Sequence, residues 1–153
     1  MGEMSGKTAL VTGSTSSTGL GLAKGFASAG ANVVLNGFGE ADEIERLWAE
    51  VNAASEGTVS YDGAGMTKPD WIDAMVQAAV DLHGAVDILV NNTGIQIVSP
   101  IDEFPIDGWD RITAINVNSA FHSARAALPG HEGERLGTYH QHRFCPRPCC
   151  FAF

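Results

Sequence analysis

The feature that most constrains the fold is a short apolar segment that runs directly into a glycine-rich turn. Residues 7–12 read Lys-Thr-Ala-Leu-Val-Thr, and residues 13–21 read Gly-Ser-Thr-Ser-Ser-Thr-Gly-Leu-Gly. A short apolar run without alternation is typical of a strand buried on both faces. Residues with helical spacing follow from Leu20 to Ala27 and stop before Gly30, and residues 32–35 form a second apolar run. We therefore predict a β-α-β unit with the glycine turn at the end of its first strand.

The alternation of strand and helix continues along the chain. The patterns predict helices over residues 40–54, 69–82 and 107–127, the last ended by Pro129–Gly130, and strands over residues 58–61 and 87–91. Such an order favours parallel pairing through right-handed crossovers. We predict an α/β fold, a Rossmann-type doubly wound parallel sheet of strand order 3-2-1-4. Ligand is expected at the carboxyl ends of strands 1 and 4, where the order reverses.

Charge excludes several classes of partner. The chain has 18 acidic and 9 basic residues, a net charge of -9, so it lacks the positive surface that nucleic acid or an anionic membrane requires. Residues 1–7 contain no apolar core of a signal peptide and no long apolar run follows. We expect a cytoplasmic protein with a small-molecule partner.

The last residues differ in composition from the rest. Residues 1–130 hold 6 basic and 16 acidic residues (net -10), whereas residues 131–153 hold 3 and 2 (net +1), and all three cysteines. We predict a nucleotide-binding half-domain over residues 1–130 and an irregular tail over residues 131–153. A tail metal site is a rival interpretation, but its ligands match no paired zinc spacing, and we expect no metal. Its ligands would be His140, His142, Cys145, Cys149 and Cys150.

Three motifs in order resemble those of the short-chain dehydrogenase/reductase family. They are the turn from Thr12-Gly13 to Gly19, the run Asn91-Asn92-Thr93-Gly94 after the fourth strand, and Asn116 in the last helix. The resemblance implies an NAD(P)-dependent oxidoreductase, with Asn116 in the catalytic set and Gln96 facing the substrate carboxylate. It also implies a set of cofactor-binding residues: Gly13, Thr15, Ser17, Thr18, Gly19, Phe38, Met66, Asn92 and Gly94.

Within the family, the loops after strands 2 and 4 are similar to those of bacterial D-3-hydroxybutyrate dehydrogenases. That similarity implies oxidation of a small hydroxy acid. The family resemblance also implies a homo-oligomer, since family members commonly form one. NAD is favoured over NADP because no Lys or Arg lies between Lys24 and Arg46, and a 2′-phosphate needs a cation near the end of strand 2. The acidic residue that usually binds the ribose is also absent, so we expect residues 36–38 to contact it.

The chain also departs from the family pattern. Ser17 stands at the middle glycine of the turn, Thr18 at the following isoleucine, and Gly65 at an adenine-binding aspartate. The family's Tyr-x-x-x-Lys is missing: Tyr61 and Tyr139 are followed four residues later by Gly65 and Arg143. We therefore expect the chain as written to be inactive as a dehydrogenase, and a non-catalytic nucleotide-binding fragment is the alternative.

A shift of reading frame explains the tail. Codons for residues 137–145 can be chosen as GGG-ACG-TAT-CAT-CAA-CAT-CGC-TTC-TGC. Read one base later, these bases spell Gly-Arg-Ile-Ile-Asn-Ile-Ala-Ser, which resembles the family's fifth strand with its catalytic serine. We therefore predict a frameshift near residue 130, which leaves the domain truncated and strand 4 as an open apolar edge.

Overall fold

The computed structural model describes residues 2–132 and 138–141, with side chains described for residues 2–129. Strands and helices alternate along the chain. The strands are β1 (Thr8–Val11), β2 (Asn32–Asn36), β3 (Val59–Asp62), β4 (Ile88–Asn91) and β5 (Thr138–Gln141). The helices are α1 (Ser17–Ser28), α2 (Ala41–Ala53), α3 (Pro69–His83), α4 (Ile106–Thr113) and α5 (Ser119–Glu132), with a short 3₁₀ turn at Ile101–Glu103.

The strands form one parallel sheet of order β3-β2-β1-β4-β5. The central register pairs Leu10 with Val34 on one side and with Leu89 on the other. The predicted order 3-2-1-4 is therefore confirmed. Because the strands are parallel, the carboxyl ends of β1, β2 and β4 lie at the same end of the sheet. A helix connects each pair of successive strands from β1 to β4, as parallel pairing requires.

Side chains of the strands alternate between two apolar layers. Leu10, Val34 and Leu89 point toward a cluster that includes buried residues of α3 and Ala127 of α5. Their neighbours along the strands point the other way and pack with residues of α1 and α2. Because both faces are covered, the three central strands β1, β2 and β4 have continuous apolar centres without polar positions between them. Among the described helices, none is both long and apolar enough to cross a membrane.

The last helix is longer than predicted. Helices α4 and α5 are joined without a break by a π-helical turn at Ala114–Asn118, and α5 continues past Pro129 to Glu132. Proline removes one backbone hydrogen bond and crowds the preceding turn. Here Pro129 lies in the final turn, where few later bonds depend on it, so the helix extends beyond it.

The tail also differs from the prediction of an irregular segment. Residues Thr138–Gln141 pair in parallel with β4, so that edge is covered in the described structure. The unpaired edge of a buried strand presents backbone donors and acceptors that need partners. An extended segment that contains Thr and Tyr, both favourable in strands, satisfies them.

At the amino ends of the central strands, Asp87 connects the start of β1 to the start of β4. One carboxylate oxygen accepts the backbone amide of Thr8 at 2.8 Å, and the other lies 2.6 Å from the Lys7 ammonium. Asp87 is 9% exposed and the Thr8 amide is buried. The carboxylate therefore supplies a partner to a backbone donor that water cannot reach.

We predict that Asp87→Ala lowers the free energy of unfolding by about 1–3 kcal/mol, because the Thr8 amide loses its acceptor. Urea denaturation followed by circular dichroism measures the change. Asp110→Ala, which removes an exposed carboxylate from α4, is the control and should change the value by less than about 0.5 kcal/mol. Equal effects of the two substitutions would show that Asp87 is not structural.

Candidate functional site

The glycine-rich turn is bonded to the end of β2 through Ser14. The Ser14 amide donates to the Asn36 carbonyl at 2.7 Å, and its hydroxyl accepts the Asn36 amide at 2.9 Å. Both residues are fully buried. The turn is therefore fixed on this side by hydrogen bonds that are shielded from water.

On the other side, Thr12 and Asn92 bond the turn to the end of β4. The buried Thr12 hydroxyl donates to the Val90 carbonyl at 3.2 Å and accepts the Asn92 and Thr93 amides at 3.1 and 3.2 Å. The Asn92 side-chain amide donates to the carbonyls of Thr12 and Gly13 at 3.1 and 3.0 Å. Asn92 is thus committed to holding the turn, through contacts that the motif alone does not reveal.

Above these strand ends lies an open cleft of about 470 Å³. All nine residues that the sequence predicts for cofactor binding line it, together with further residues that include Asn36, Gly37, Thr67 and Ile95. The N-terminus of α1 faces the cleft, and its first turn contains no acidic residue. The unpaired amides and the helix dipole of such a terminus attract an anion. The cleft therefore combines an apolar wall with one electropositive end.

Two glycines of the turn are required by the geometry. Gly13 has φ of +64°, a left-handed conformation that favours glycine. A Cβ on Gly19 would clash with the Gly13 carbonyl and with the Asn92 side-chain amide. Gly21, two residues later on the same helix, has open space at the corresponding position. Gly19 thus allows α1 to begin in contact with the turn.

Ser17, at the start of α1, is strained. Its φ is +48°, and it is the single non-glycine residue with positive φ in the described chain. Side chains with a Cβ adopt this region at a cost that glycine avoids. The exposed serine side chain stands at the rim of the cleft. The departure from the family's glycine therefore has a visible structural cost.

Gly37 and Phe38, which follow β2, form part of the cleft wall and are held by two hydroxyl groups. Thr15 donates to the Phe38 carbonyl at 2.9 Å, and Tyr61 donates to the Gly37 carbonyl at 2.8 Å. Burial and the neighbouring Asp62 carboxylate raise the pKa of Tyr61, so the phenol keeps its proton. Phe38 itself is 71% exposed and lines the opening.

Asn36, one of the residues expected to contact a ribose, lines the cleft and is anchored by its side-chain nitrogen. Its amide nitrogen donates to the carbonyls of Asp62 and Ala64 at 3.0 and 3.1 Å, and the residue is fully buried. Asp62 accepts the Ala64 amide at 2.8 Å and so shapes the loop after β3. The side-chain oxygen of Asn36 is buried and has no hydrogen-bond partner among the described residues. The position of an asparagine in the sequence does not show whether its side-chain amide points into the protein or into the cleft.

Asn116 lies in the π-helical turn and holds the loop that follows β4. Its side-chain oxygen accepts the Ile95 amide at 2.8 Å, and its nitrogen donates to the Ile95 carbonyl at 2.9 Å. It therefore positions the residue next to Gly94, and a catalytic role for it stays a prediction. Gln96 is exposed on the same loop, and neither Gln96 nor Asn116 is among the residues that line the cleft.

Other titratable groups are remote from the cleft. His83 lies 3.4 Å from the Ser60 hydroxyl, and burial lowers its pKa, but it does not line the cleft. Within residues 2–129, no three His, Cys, Asp or Glu side chains are arranged to hold a metal ion. The alternative ligand set in the tail lies outside the side chains that the structure describes.

A parallel sheet whose glycine turn and helix N-terminus face a cleft at the switch point defines a dinucleotide-binding α/β protein. Comparison with known proteins gives the finer assignment. The short chain dehydrogenase profile matches residues 7–138, and the chain belongs to that family.

Curated relatives agree with this assignment. The chain is 52% identical over 123 residues to a D-beta-hydroxybutyrate dehydrogenase of Rhizobium meliloti (strain 1021), covering 80% of this chain and 48% of the relative. It is 53% identical over 128 residues to the enzyme of that name from Cupriavidus necator, covering 83% and 48%. The chain thus spans about half the length of the curated relatives it matches.

A solved structure shares the fold. A metagenomic short-chain oxidoreductase, crystallised in complex with NADP, superposes with a TM-score of 0.84 at 27% identity. The match covers 90% of this chain and 62% of that one. The likeness extends over the part of the chain that carries the cleft.

We predict that Ser17→Gly stabilises the protein by about 1 kcal/mol, because glycine adopts the left-handed conformation without strain. Thermal unfolding measures the gain. Ser17→Ala removes the hydroxyl but keeps the Cβ, so it should give no gain. If alanine stabilised the protein as much as glycine, the hydroxyl and not the backbone would be responsible.

Proposed function

We propose that the cleft binds NAD. The observation that carries the proposal is the convergence of the predicted cofactor residues around the N-terminus of α1, where amides and helix dipole suit a pyrophosphate. The absence of a side chain at Gly19 lets the helix approach the turn, as this arrangement requires. When bound, the nicotinamide would accept a hydride.

We propose D-3-hydroxybutyrate as the substrate of the complete enzyme to which this chain corresponds. Identity above 50% to two dehydrogenases of that name supports it. A relative named for a different substrate, the gluconate 5-dehydrogenase of Gluconobacter oxydans, is 39% identical over 125 residues. On the family resemblance we assign Gln96 to the substrate carboxylate; its exposed side chain lies two residues after Gly94, which lines the cleft.

The 153 residues as written would bind cofactor without turnover. A family dehydrogenase uses a tyrosine, whose pKa is lowered by a lysine four residues later, to take the proton of the substrate hydroxyl during oxidation and to return it during reduction. The two tyrosines of the chain lack such a lysine. The Tyr61 hydroxyl moreover donates its hydrogen bond to the Gly37 carbonyl.

We predict saturable NAD binding by the purified chain and no increase in NADH absorbance with D-3-hydroxybutyrate. Gly19→Ala should abolish binding, because the new Cβ would push α1 away from the turn. Gly21→Ala is the matched control on the same helix and should bind as the wild type does. Calorimetric titration measures binding, and circular dichroism shows whether each variant is folded.

Two results would contradict the proposal. A wild-type chain that is folded but shows no saturable NAD binding overturns cofactor binding. A folded Gly19→Ala variant that binds with unchanged affinity excludes this cleft as the binding site. Formation of NADH from D-3-hydroxybutyrate would overturn the inactivity of the chain as written.

We also propose that residues 131–153 are read out of frame. Codons CAT-GAA-GGC-GAG-AGG-CTG-GGG for residues 131–137 extend the second frame upstream, and it then reads Met-Lys-Ala-Arg-Gly-Trp-Gly-Arg-Ile-Ile without a stop. In that frame both isoleucines occupy the codons of Tyr139 and His140, the partners of Leu89 and Val90 in the parallel register. A strand in the interior of a parallel sheet requires apolar residues beside its apolar neighbours, and the two isoleucines would supply them beside Leu89 and Val90.

Sequencing the source DNA from the codon of Leu128 to well past that of Phe153 tests this reading. We expect the second frame to remain open downstream and to encode Tyr-x-x-x-Lys, whether or not an extra or missing base is found near residue 130. A second frame that closes without this motif would show that the tail is native.

A further inference from the structure

We propose that Asn36 is a positioning residue for the adenosine half of a bound dinucleotide. The inference rests on the proposed binding of NAD and deepens it. It assigns to one buried side chain, at the end of β2, the task of holding the loop after β3 (residues 63–67) in place before a ligand binds.

Asn36 connects two parts of the cleft wall. Its backbone carbonyl accepts the Ser14 amide at 2.7 Å, and its backbone amide donates to the Ser14 hydroxyl at 2.9 Å. Its side-chain nitrogen donates to the carbonyls of Asp62 and Ala64 at 3.0 and 3.1 Å. Both hydrogens of the side-chain amide are thus used, and one fully buried residue bonds the glycine turn to the loop after β3.

The loop after β3 brings Met66 and Thr67 to the cleft. The Asp62 carboxylate accepts the Ala64 amide at 2.8 Å, a bond that shapes the start of the loop from within. Ala64 and Met66 also pack in an apolar cluster of the core, but apolar contact is non-directional. The two bonds from Asn36 are directional, and they orient this part of the wall relative to the end of β2.

These two bonds require a donor at the strand end. An ionised carboxylate has no hydrogen to donate, so in place of the amide it would face two carbonyl oxygens in a site that water does not reach. The same carbonyls fix the orientation of the amide, because its reverse would oppose oxygen to oxygen. The hydrogen bonds therefore account for an amide where an acidic residue is expected.

The topology assigns this wall to one half of the ligand. With a pyrophosphate at the N-terminus of α1, a dinucleotide places one nucleotide on each side of the glycine turn. In the order β3-β2-β1-β4, the loops after β2 and β3 lie on one side and the loop after β4 lies on the other. The adenosine ribose of such ligands lies at the end of β2. The wall held by Asn36 therefore faces the adenosine half.

The test compares Asn36→Asp with Asn32→Asp, the same change at the two ends of β2. The side-chain oxygen of Asn32 accepts the Thr58 amide at 3.0 Å, and a carboxylate keeps that acceptor. We expect Asn36→Asp to weaken the binding of NAD and of ADP-ribose by the same factor, about tenfold. Binding of nicotinamide mononucleotide should weaken by less than about twofold, and Asn32→Asp should leave all three affinities unchanged.

Titration calorimetry measures the affinities for NAD and ADP-ribose, and NMR titration measures that for the mononucleotide. Asn36→Ala removes the donor without adding a charge, so it should show the same separation between ADP-ribose and the mononucleotide. Hydrogen exchange of the wild-type chain gives a measurement that needs no variant. The Ala64 amide should be protected before NAD is added, because the loop is already held.

The outcomes separate this inference from the proposed function. Folded Asn36 variants that bind NAD with wild-type affinity would overturn the role of Asn36, and equal losses for ADP-ribose and the mononucleotide would show a structural role only. An Ala64 amide that exchanges rapidly until NAD is added would overturn the preformed loop, even if neither variant folds. A wild-type chain that binds neither NAD nor ADP-ribose would overturn the proposed function, and this inference with it.

Discussion

The rest of the site depends on the hydrogen bonds that hold the glycine turn between two strand ends. Ser14 bonds the turn to β2, and Thr12 with Asn92 bonds it to β4. These groups are buried or partly buried, so each bond that is lost would leave an unsatisfied polar group. The helix N-terminus, the cleft and the loop after β2 all take their positions from this turn.

Most of the fold could be predicted from the sequence, because the central strands are buried on both faces and therefore appear in the sequence as continuous apolar runs. The sheet order 3-2-1-4 follows from the alternation of such runs with helical patterns. The extension of α5 past Pro129 could not be predicted, because proline usually ends a helix and here lies in a final turn. The open edge of β4 was predicted, but its pairing with Thr138–Gln141 was not, because Thr-Tyr-His-Gln is not the apolar run of a buried strand.

The sequence predicted which residues lie around the cleft, but not the direction in which their polar side chains point. The motifs placed Gly13, Phe38 and Asn92 just after the ends of strands, and topology brings those ends together. Whether a polar side chain points into the cleft or into the protein is decided by nearby carbonyls. Asn36 and Asn116 both turn to backbone partners, and no spacing rule indicates this.

Binding and chemistry are separable in this fold because they use different parts of the chain. Every described residue that lines the cleft lies between Gly13 and Ile115, and the hydrogen bonds that shape it join residues between Thr12 and Asn116. The proton donor of a family dehydrogenase follows the fifth strand, beyond these contacts. A change of reading frame after the last helix would thus remove the means of catalysis and leave the contacts that build the cleft. The same reasoning makes the cleft, rather than turnover, the property by which this chain is best characterised.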